Sequence, residues 1–255
     1  MKTVEIAGRK VEIYDSVEEL PMVRFHRYNK FLLVDAGVGS DIGDFDRHIE
    51  KAMIYARSRT PDLAVAELEN LRQNVYMIQQ QVSPRFLSFA ALVKSIDGRA
   101  CNDLSDEGLQ RVVDCLAQAP VGKLTALFEA VKKKIDEELR QYFPKVFEDA
   151  TAKEYYDELR HRTLLVLDEI INGCDRRAEI DRLTEELMMY SKPQMFSGSE
   201  SVEILHDRQF ERMCLVMAQT LNIEPKRYTV MEFYSAFELL QDQTRERERA
   251  YKRRK

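Results

Sequence analysis

The sequence has little of what an exported, membrane-spanning or β-rich protein requires. Its 255 residues include no tryptophan, nine glycines, seven prolines and no apolar run of about 18 residues or more. The opening MKTVEIAGRK lacks the apolar centre of a secretory signal peptide. We therefore expect no membrane association, no export by a signal peptide, and a cytoplasmic location.

Cysteine is also scarce and is not arranged in pairs. Cys101, Cys115, Cys174 and Cys214 stand singly, without a C-x-x-C pair, in or beside segments of helical pattern. Zinc frameworks and disulfide-rich domains use closely spaced cysteines. We expect buried or half-buried free thiols, and neither a metal nor a cofactor.

What the sequence does contain favours helices. Leucine, alanine, glutamate, arginine and glutamine are abundant, and all five have high helix propensity. Apolar residues recur at three- and four-residue steps in about nine or ten segments. Residues 3–14 instead alternate apolar and polar around Ala7-Gly8, which predicts one β-hairpin. The predicted fold is mainly α, an irregular multi-helix bundle with a short N-terminal β-hairpin.

One stretch has the composition of a linker. Residues 191–201, SKPQMFSGSES, are rich in serine and contain one proline and one glycine. They predict a division into a helical body with the hairpin at 1–190, a linker at 191–201, and a helical segment with a basic tail at 202–255.

No catalytic or metal-binding motif is present. Residues 35–46, DAGVGSDIGDFD, match neither the dinucleotide fingerprint, the phosphate-binding loop nor the calcium loop. They favour a turn between helices, with a cation site or partner contact through Asp41, Asp44 and Asp46 as the alternative. His26, His48, His161 and His206 are isolated in the sequence, so zinc binding would need ligands from distant segments. We expect no catalytic residues and no metal ligands.

Two basic segments are candidates for contacts with partners. Residues 24–30, RFHRYNK, interleave Arg24, Arg27 and Lys30 with aromatic residues, which could contact nucleic acid. Helical spacing instead favours a core stripe of Phe25, Tyr28 and Phe31 beside a solvated charged face.

The second basic segment is the tail. Between Thr244 and Lys255 there are seven basic and two acidic residues, whereas the chain as a whole has net charge −5, so the remainder is at −10. The apolar stripe stops at Thr244, so burial in the protein's own core cannot hold the tail. The candidate partner-binding residues are Arg245, Arg247, Arg249, Tyr251, Lys252, Arg253, Arg254 and Lys255.

Two segments resemble proteins of tailed bacteriophages. YDSVEELPMVRFHRYNKFLLVDAGVGSD, Tyr14 to Asp41, resembles parts of uncharacterised phage proteins, and TVMEFYSAFELLQ, Thr229 to Gln241, resembles the end of phage tail-assembly proteins. Together they cover under a fifth of the chain. The resemblance implies a virion component or an assembly factor, located in the host cytoplasm or the virion, and not an enzyme.

These observations lead to one preferred function and two alternatives. The preferred one is a non-enzymatic structural or assembly protein that acts through contacts with other protein subunits, as a homo- or hetero-oligomer. The first alternative is a nucleic-acid-binding accessory protein that uses the basic tail. The second is an enzyme whose site is assembled from dispersed carboxylates such as Asp35, Asp41 and Asp44 with His48.

Overall fold

The computed structural model describes residues 1–35, 42–58, 60–79, 83–147, 150–190, 192–193, 196, 198 and 201–252. Within the helices, the side chains at 42–44, 74, 77–79, 150–153, 248 and 250–252 are not described. The described part contains eleven α-helices and one four-stranded antiparallel sheet. The predicted fold class, mainly α with an N-terminal β-hairpin, is confirmed.

The elements follow one another along the chain in this order. The strands are β1 Lys2–Ile6, β2 Arg9–Ile13, β3 Val93–Ile96 and β4 Arg99–Ala100. The helices are α1 Met22–Val34, α2 Ile42–Arg57, α3 Pro61–Gln79, α4 Pro84–Leu92, α5 Asp106–Leu116, α6 Val121–Tyr142, α7 Pro144–Phe147, α8 Ala150–Asn172, α9 Arg177–Tyr190, α10 Val202–Leu221 and α11 Val230–Lys252.

The predicted hairpin is confirmed, but it is not the only β element. Strand β2 pairs with β1 on one side and with β3 on the other, with Val11 opposite Ile96. The apolar spacing of Phe86, Phe89, Ala90 and Val93 predicts a helix that ends near Asp97-Gly98, and this prediction is wrong, because α4 ends at Leu92 and β3 begins at Val93. Asp97 and Gly98 both have positive φ, at 50° and 78°, and this turn sends β4 back along β3.

The described residues form two compact units. Unit 1 comprises residues 1–35, 81–146 and 202–255, and unit 2 comprises residues 36–80 and 147–201. This grouping places 202–255 with the N-terminal hairpin, whereas the sequence separates them at the linker. The backbone explains it, because Val230 N donates to Leu20 O at 2.9 Å and Met22 N donates to Tyr228 O at 2.8 Å. Most of 191–201 lies outside the described residues, so the linker stays a prediction.

Unit 1 contains the sheet and a core rich in aromatic residues. Phe25 and Tyr28 of α1 are buried, together with Phe128 of α6 and Phe233 of α11. The predicted core stripe of α1 is thus confirmed, with Phe31 also buried. Thr229 and Glu232 have the T-x-x-E spacing that predicts a capping box at the start of α11. The structure confirms it, because Thr229 N donates to Glu232 Oε2 at 2.8 Å and Glu232 N donates to Thr229 Oγ1 at 3.3 Å.

Unit 2 has a smaller described core. Tyr55 of α2 packs with Ala64 of α3 and Met188 of α9, and the Tyr55 hydroxyl donates to Met188 O at 2.9 Å. Burial raises the pKa of that hydroxyl. Across the described parts of both units, no helix is long and apolar enough to cross a membrane.

The four cysteines are free thiols. Cys214 is buried, while Cys101 and Cys115 are half-buried, as expected. Cys174 differs, since it is exposed just after the end of α8.

Candidate functional site

A cluster of two histidines, a carboxylate and a lysine lies where α1 packs against α10 in unit 1. His26 and Lys30 are four residues apart on α1 and so share one face of that helix. His26 Nε2 donates to Asp207 Oδ1 at 2.9 Å, and Lys30 Nζ donates to Asp207 Oδ2 at 2.6 Å. Lys30 Nζ is also 3.8 Å from the Glu203 carboxylate. We call His26, Lys30, His206 and Asp207 the histidine cluster.

The His26 ring is held between two rings of α10. Its centroid is 4.3 Å from that of His206, with 3° between the planes, and 4.0 Å from that of Phe210, with 14° between the planes. His206 and Phe210 are four residues apart, which places both rings on one face of α10. The arrangement fixes His26 and leaves His206 Nδ1 buried without a hydrogen-bond partner.

The surroundings keep both imidazoles neutral and the carboxylate ionised. Burial, reinforced by neighbouring His26, lowers the pKa of His206 to about 4. Burial also lowers the pKa of His26, against the opposing effect of Asp207. Although burial acts in the other direction, the Lys30 and His26 hydrogen bonds hold the pKa of Asp207 below its usual value.

The cluster makes unit 1 less stable in acid. Because the folded state holds the pKa of His206 near 4, against 6.5 in an ordinary environment, the unfolded chain binds protons more readily between these values. The contribution of His206 to the free energy of unfolding is therefore complete above about pH 6.5 and is lost as the pH falls towards 4. We expect the free energy of unfolding, measured with urea between about pH 7.5 and about pH 4.5, to fall less steeply with decreasing pH in His206→Ala than in the wild type.

His161→Ala is the matched control for the pH series. His161 is an exposed histidine of α8 in unit 2, so its removal should leave the pH profile of the wild type unchanged. If the free energy of unfolding falls equally steeply with pH in the wild type and in His206→Ala, the pH dependence does not come from His206.

A second notable surface lies on α8 in unit 2. Among its described side chains none is buried. One side contacts α9, where the Tyr155 and Tyr190 rings lie 5.7 Å apart and Arg162 Nε donates to Thr184 Oγ1 at 2.7 Å. A different side carries five large exposed apolar residues, which we call the α8 apolar face. They are Tyr156, Leu164, Leu167, Ile170 and Ile171.

The basic residues predicted on α1 are engaged within the protein. Arg24 is 5% exposed, and its guanidinium donates to Ala91 O at 3.1 Å, to Val93 O at 2.9 Å and to Cys101 O. Arg27 donates to Leu104 O at 3.0 Å and to Asp106, and Lys30 belongs to the histidine cluster. A phosphate contact from Arg24 would require its three hydrogen bonds to break, so nucleic-acid contact by this group remains a prediction that the geometry does not favour.

The predicted partner-binding tail continues α11. Arg245, Arg247 and Arg249 are exposed, and Arg245 lies 3.7 Å from Asp242. Tyr251 and Lys252 belong to the same helix, but their side chains are outside the described set. The last three residues, Arg253, Arg254 and Lys255, lie outside the described residues. The role of the tail stays a prediction.

The dispersed carboxylates considered for an enzyme site are only partly described. Asp41 and the side chain of Asp44 lie outside the described residues. Asp35 Oδ2 lies 3.4 Å from Arg85 Nε in unit 1, and His48 of α2 is hydrogen-bonded to the buried Glu67 of α3 in unit 2. The structure therefore gives Asp35 and His48 different partners in different units.

Unit 1 also has an open cavity of about 850 Å³ beside β4 and α5. Arg9, Arg99 and Arg111 line it together with Asp103. Asp103 Oδ1 accepts a hydrogen bond from the Ser105 hydroxyl at 2.7 Å, and the other carboxylate oxygen pairs with Arg111. These bonds hold the pKa of Asp103 below its usual value, so this carboxylate is a poor general base.

No protein-family model, curated protein or solved structure matches the chain. The resemblance of residues 14–41 and 229–241 to phage proteins therefore stays a prediction. What bears on function is the geometry of the α8 apolar face and of the histidine cluster.

Proposed function

We propose that the protein is a non-enzymatic structural or assembly protein that acts through protein–protein contacts, with the α8 apolar face as one contact surface. The observation that supports it is the exposure of Ile170 and Ile171, at 73% and 75%, beside Leu164 at 54% and Leu167 at 45%. Successive residues of an α-helix turn by about 100°, so the five residues of the face lie within an arc of about 120°. Arg160 and Thr163 separate Tyr156 from the other four residues along this arc, and an exposed apolar patch such as the one formed by Leu164, Leu167, Ile170 and Ile171 is typical of a binding site.

The distribution of apolar residues between the units supports the same role. Unit 2 is the smaller unit, yet it holds eleven of the eighteen large apolar side chains that are exposed among the described residues. Unit 1 buries its aromatic residues in its own core. Unit 2 would thus gain more from covering its surface with a partner, because burial of apolar area is the main favourable term in association.

The partner that we propose is a second copy of this chain. An apolar helix face is complementary to itself, and a two-fold arrangement brings the same surface of two subunits together. The basic tail on an otherwise acidic chain also gives each copy surfaces of both signs, and this charge complementarity favours a defined orientation over a random encounter. The phage resemblance suggests that the assembled object is a virion or its tail.

Substitution of Leu167 by glutamate tests the proposal. We expect light scattering of the wild type to show an oligomer whose mass depends on protein and salt concentration, and we expect Leu167→Glu to shift it to monomer by placing a carboxylate in the apolar contact. His161→Glu, which adds the same charge to an exposed position of the same helix, should associate like the wild type. A wild type that stays monomeric at every protein and salt concentration would overturn the proposal.

The second candidate function, nucleic-acid binding through the tail, is favoured by one observation, the exposure of Arg245, Arg247 and Arg249. Affinity for nucleic acid would fall steeply with salt, because counterions are released on binding. A salt-sensitive gel shift that is given by the full chain and lost in a chain ending at Gln243 would support this function over assembly.

A further inference from the structure

We propose that His26, His206 and Asp207 form a binding site for one divalent transition-metal ion, with Zn²⁺ as the best match to the ligands. One donor atom from each residue lies within 4.8 Å of the other two. Zinc binds imidazole nitrogen and carboxylate oxygen at about 2.0–2.2 Å. Donor atoms around one ion are therefore separated by up to about 4 Å. Binding an ion needs a small contraction of the cluster together with a turn of the His206 ring.

His26 and Asp207 are the part of the site that is already in position. His26 Nε2 and Asp207 Oδ1 are 2.9 Å apart, and the stacking of His26 against Phe210 holds the ring. The ion takes the place of the hydrogen bond between these two atoms. His26 then carries its single proton on Nδ1 and offers the Nε2 lone pair.

His206 is the ligand that moves. Its ring is parallel to that of His26, within 3°, and nitrogen lone pairs lie in the plane of an imidazole, so the two rings cannot reach one ion as they stand. A turn of the His206 ring about its Cβ–Cγ bond breaks no hydrogen bond at Nδ1, because this buried atom has no partner. A buried polar atom without a partner is unfavourable, and coordination of an ion would relieve it.

The charges around the site favour a dication. Two cations lie near the site, Lys30 and Arg27, and Arg27 is paired with Asp106. The Glu203 and Asp207 carboxylates therefore face one remaining cation, the ammonium of Lys30. Lys30 Nζ donates a hydrogen bond to Asp207 Oδ2, and Asp207 Oδ1 is directed at the His26 imidazole. Residues that hydrogen-bond to a metal ligand commonly orient it in this way.

The ligand types select the class of ion. Two imidazole nitrogens suit zinc, cobalt, nickel and copper, whereas magnesium and calcium prefer sites built only of oxygen ligands. The Asp207 side chain is 46% exposed, so water can reach the ion and complete four-fold coordination. A bound ion joins α1 to α10, and we expect it to stabilise unit 1.

The test uses the full chain after removal of metal with EDTA and dialysis. We expect competition with a chromogenic chelator to show one equivalent of Zn²⁺ per chain, a raised midpoint of thermal unfolding with Zn²⁺, and no rise with Mg²⁺. His206→Ala should bind Zn²⁺ more weakly by over about tenfold. His161→Ala, which removes a histidine outside the cluster, should bind like the wild type.

Co²⁺ provides an independent readout, because tetrahedral coordination gives this ion a visible absorption. A variant that is less stable but still folded and able to bind the ion would keep this absorption. We expect this absorption in the wild type and in His161→Ala, and its loss in His206→Ala. No saturable Zn²⁺ binding by the wild type, or equal Zn²⁺ binding by the wild type and His206→Ala, would overturn the proposal. Neither result bears on self-association through α8, which is measured by mass.

Discussion

Replacement of Arg24 by methionine should lower the free energy of unfolding of unit 1 by about 3–5 kcal/mol. Methionine keeps much of the length of the side chain but removes the guanidinium. The carbonyls of Ala91, Val93 and Cys101 would then lose a buried charged donor. A hydrogen bond to a charged group contributes about 1.5–3 kcal/mol, but desolvation, which also lowers the pKa of Arg24, offsets part of the gain.

The measurement is urea unfolding of the full chain followed by circular dichroism. Arg212→Met is the matched control, because Arg212 is an exposed arginine of α10, and its loss should change stability by less than about 0.5 kcal/mol. If Arg24→Met unfolds within about 1 kcal/mol of the wild type, the three hydrogen bonds do not stabilise the junction of α4 and β3.

The same variant separates two roles for this arginine. Arg24 is a candidate nucleic-acid contact by sequence, whereas the structure encloses it in unit 1 at 5% exposure. A structural arginine affects stability whether or not nucleic acid is present. A contact arginine would instead change salt-dependent binding and leave the stability of the isolated protein unchanged.

The second large effect is expected for Phe128→Ala, which should lower the free energy of unfolding by about 3–5 kcal/mol. Phe128 of α6 is 1% exposed. Its ring is edge-on to Tyr28 of α1, with centroids 6.4 Å apart, and to Phe89 of α4, with centroids 6.1 Å apart. Truncation removes both contacts and leaves a cavity among three helices that rigid helix backbones fill only partly.

Tyr142→Ala on the same helix is the control, since Tyr142 is 45% exposed and its truncation should lower the free energy of unfolding by less than about 1 kcal/mol. Chemical unfolding of both variants and the wild type gives the comparison. Equal destabilisation by the two substitutions would show that Phe128 does not connect α6 to α1 and α4.

The helices could be predicted because their causes are local. Apolar spacing placed Phe25, Tyr28 and Phe31 on one buried face of α1, and the pair Thr229 and Glu232 marked the start of α11. These signals act over three or four residues, which is the range of helix periodicity and capping. The signal for the hairpin was equally local, since Ala7 and Gly8 form its turn with positive φ.

The strand pair β3–β4 was missed for a physical reason. Val93–Ile96 is a short continuation of an apolar helical pattern, and such runs do not distinguish strand from helix. Val93–Ile96 forms a strand because it pairs with the open edge of β2, where Val11 lies opposite Ile96 from a distant part of the chain. The signal that was available was Asp97-Gly98, a dipeptide typical of a hairpin turn.

The sequence by itself determined the fold class, the hairpin, the helix starts and the charged tail, because each depends on neighbours along the chain. Only the tertiary structure decided the partners of the isolated side chains. It brought His26 against His206 and Asp207, enclosed Arg24 among three carbonyls, and left the α8 apolar face uncovered. Stacking, desolvation and burial depend on atoms that meet across long stretches of chain, and no local pattern encodes which residues those will be.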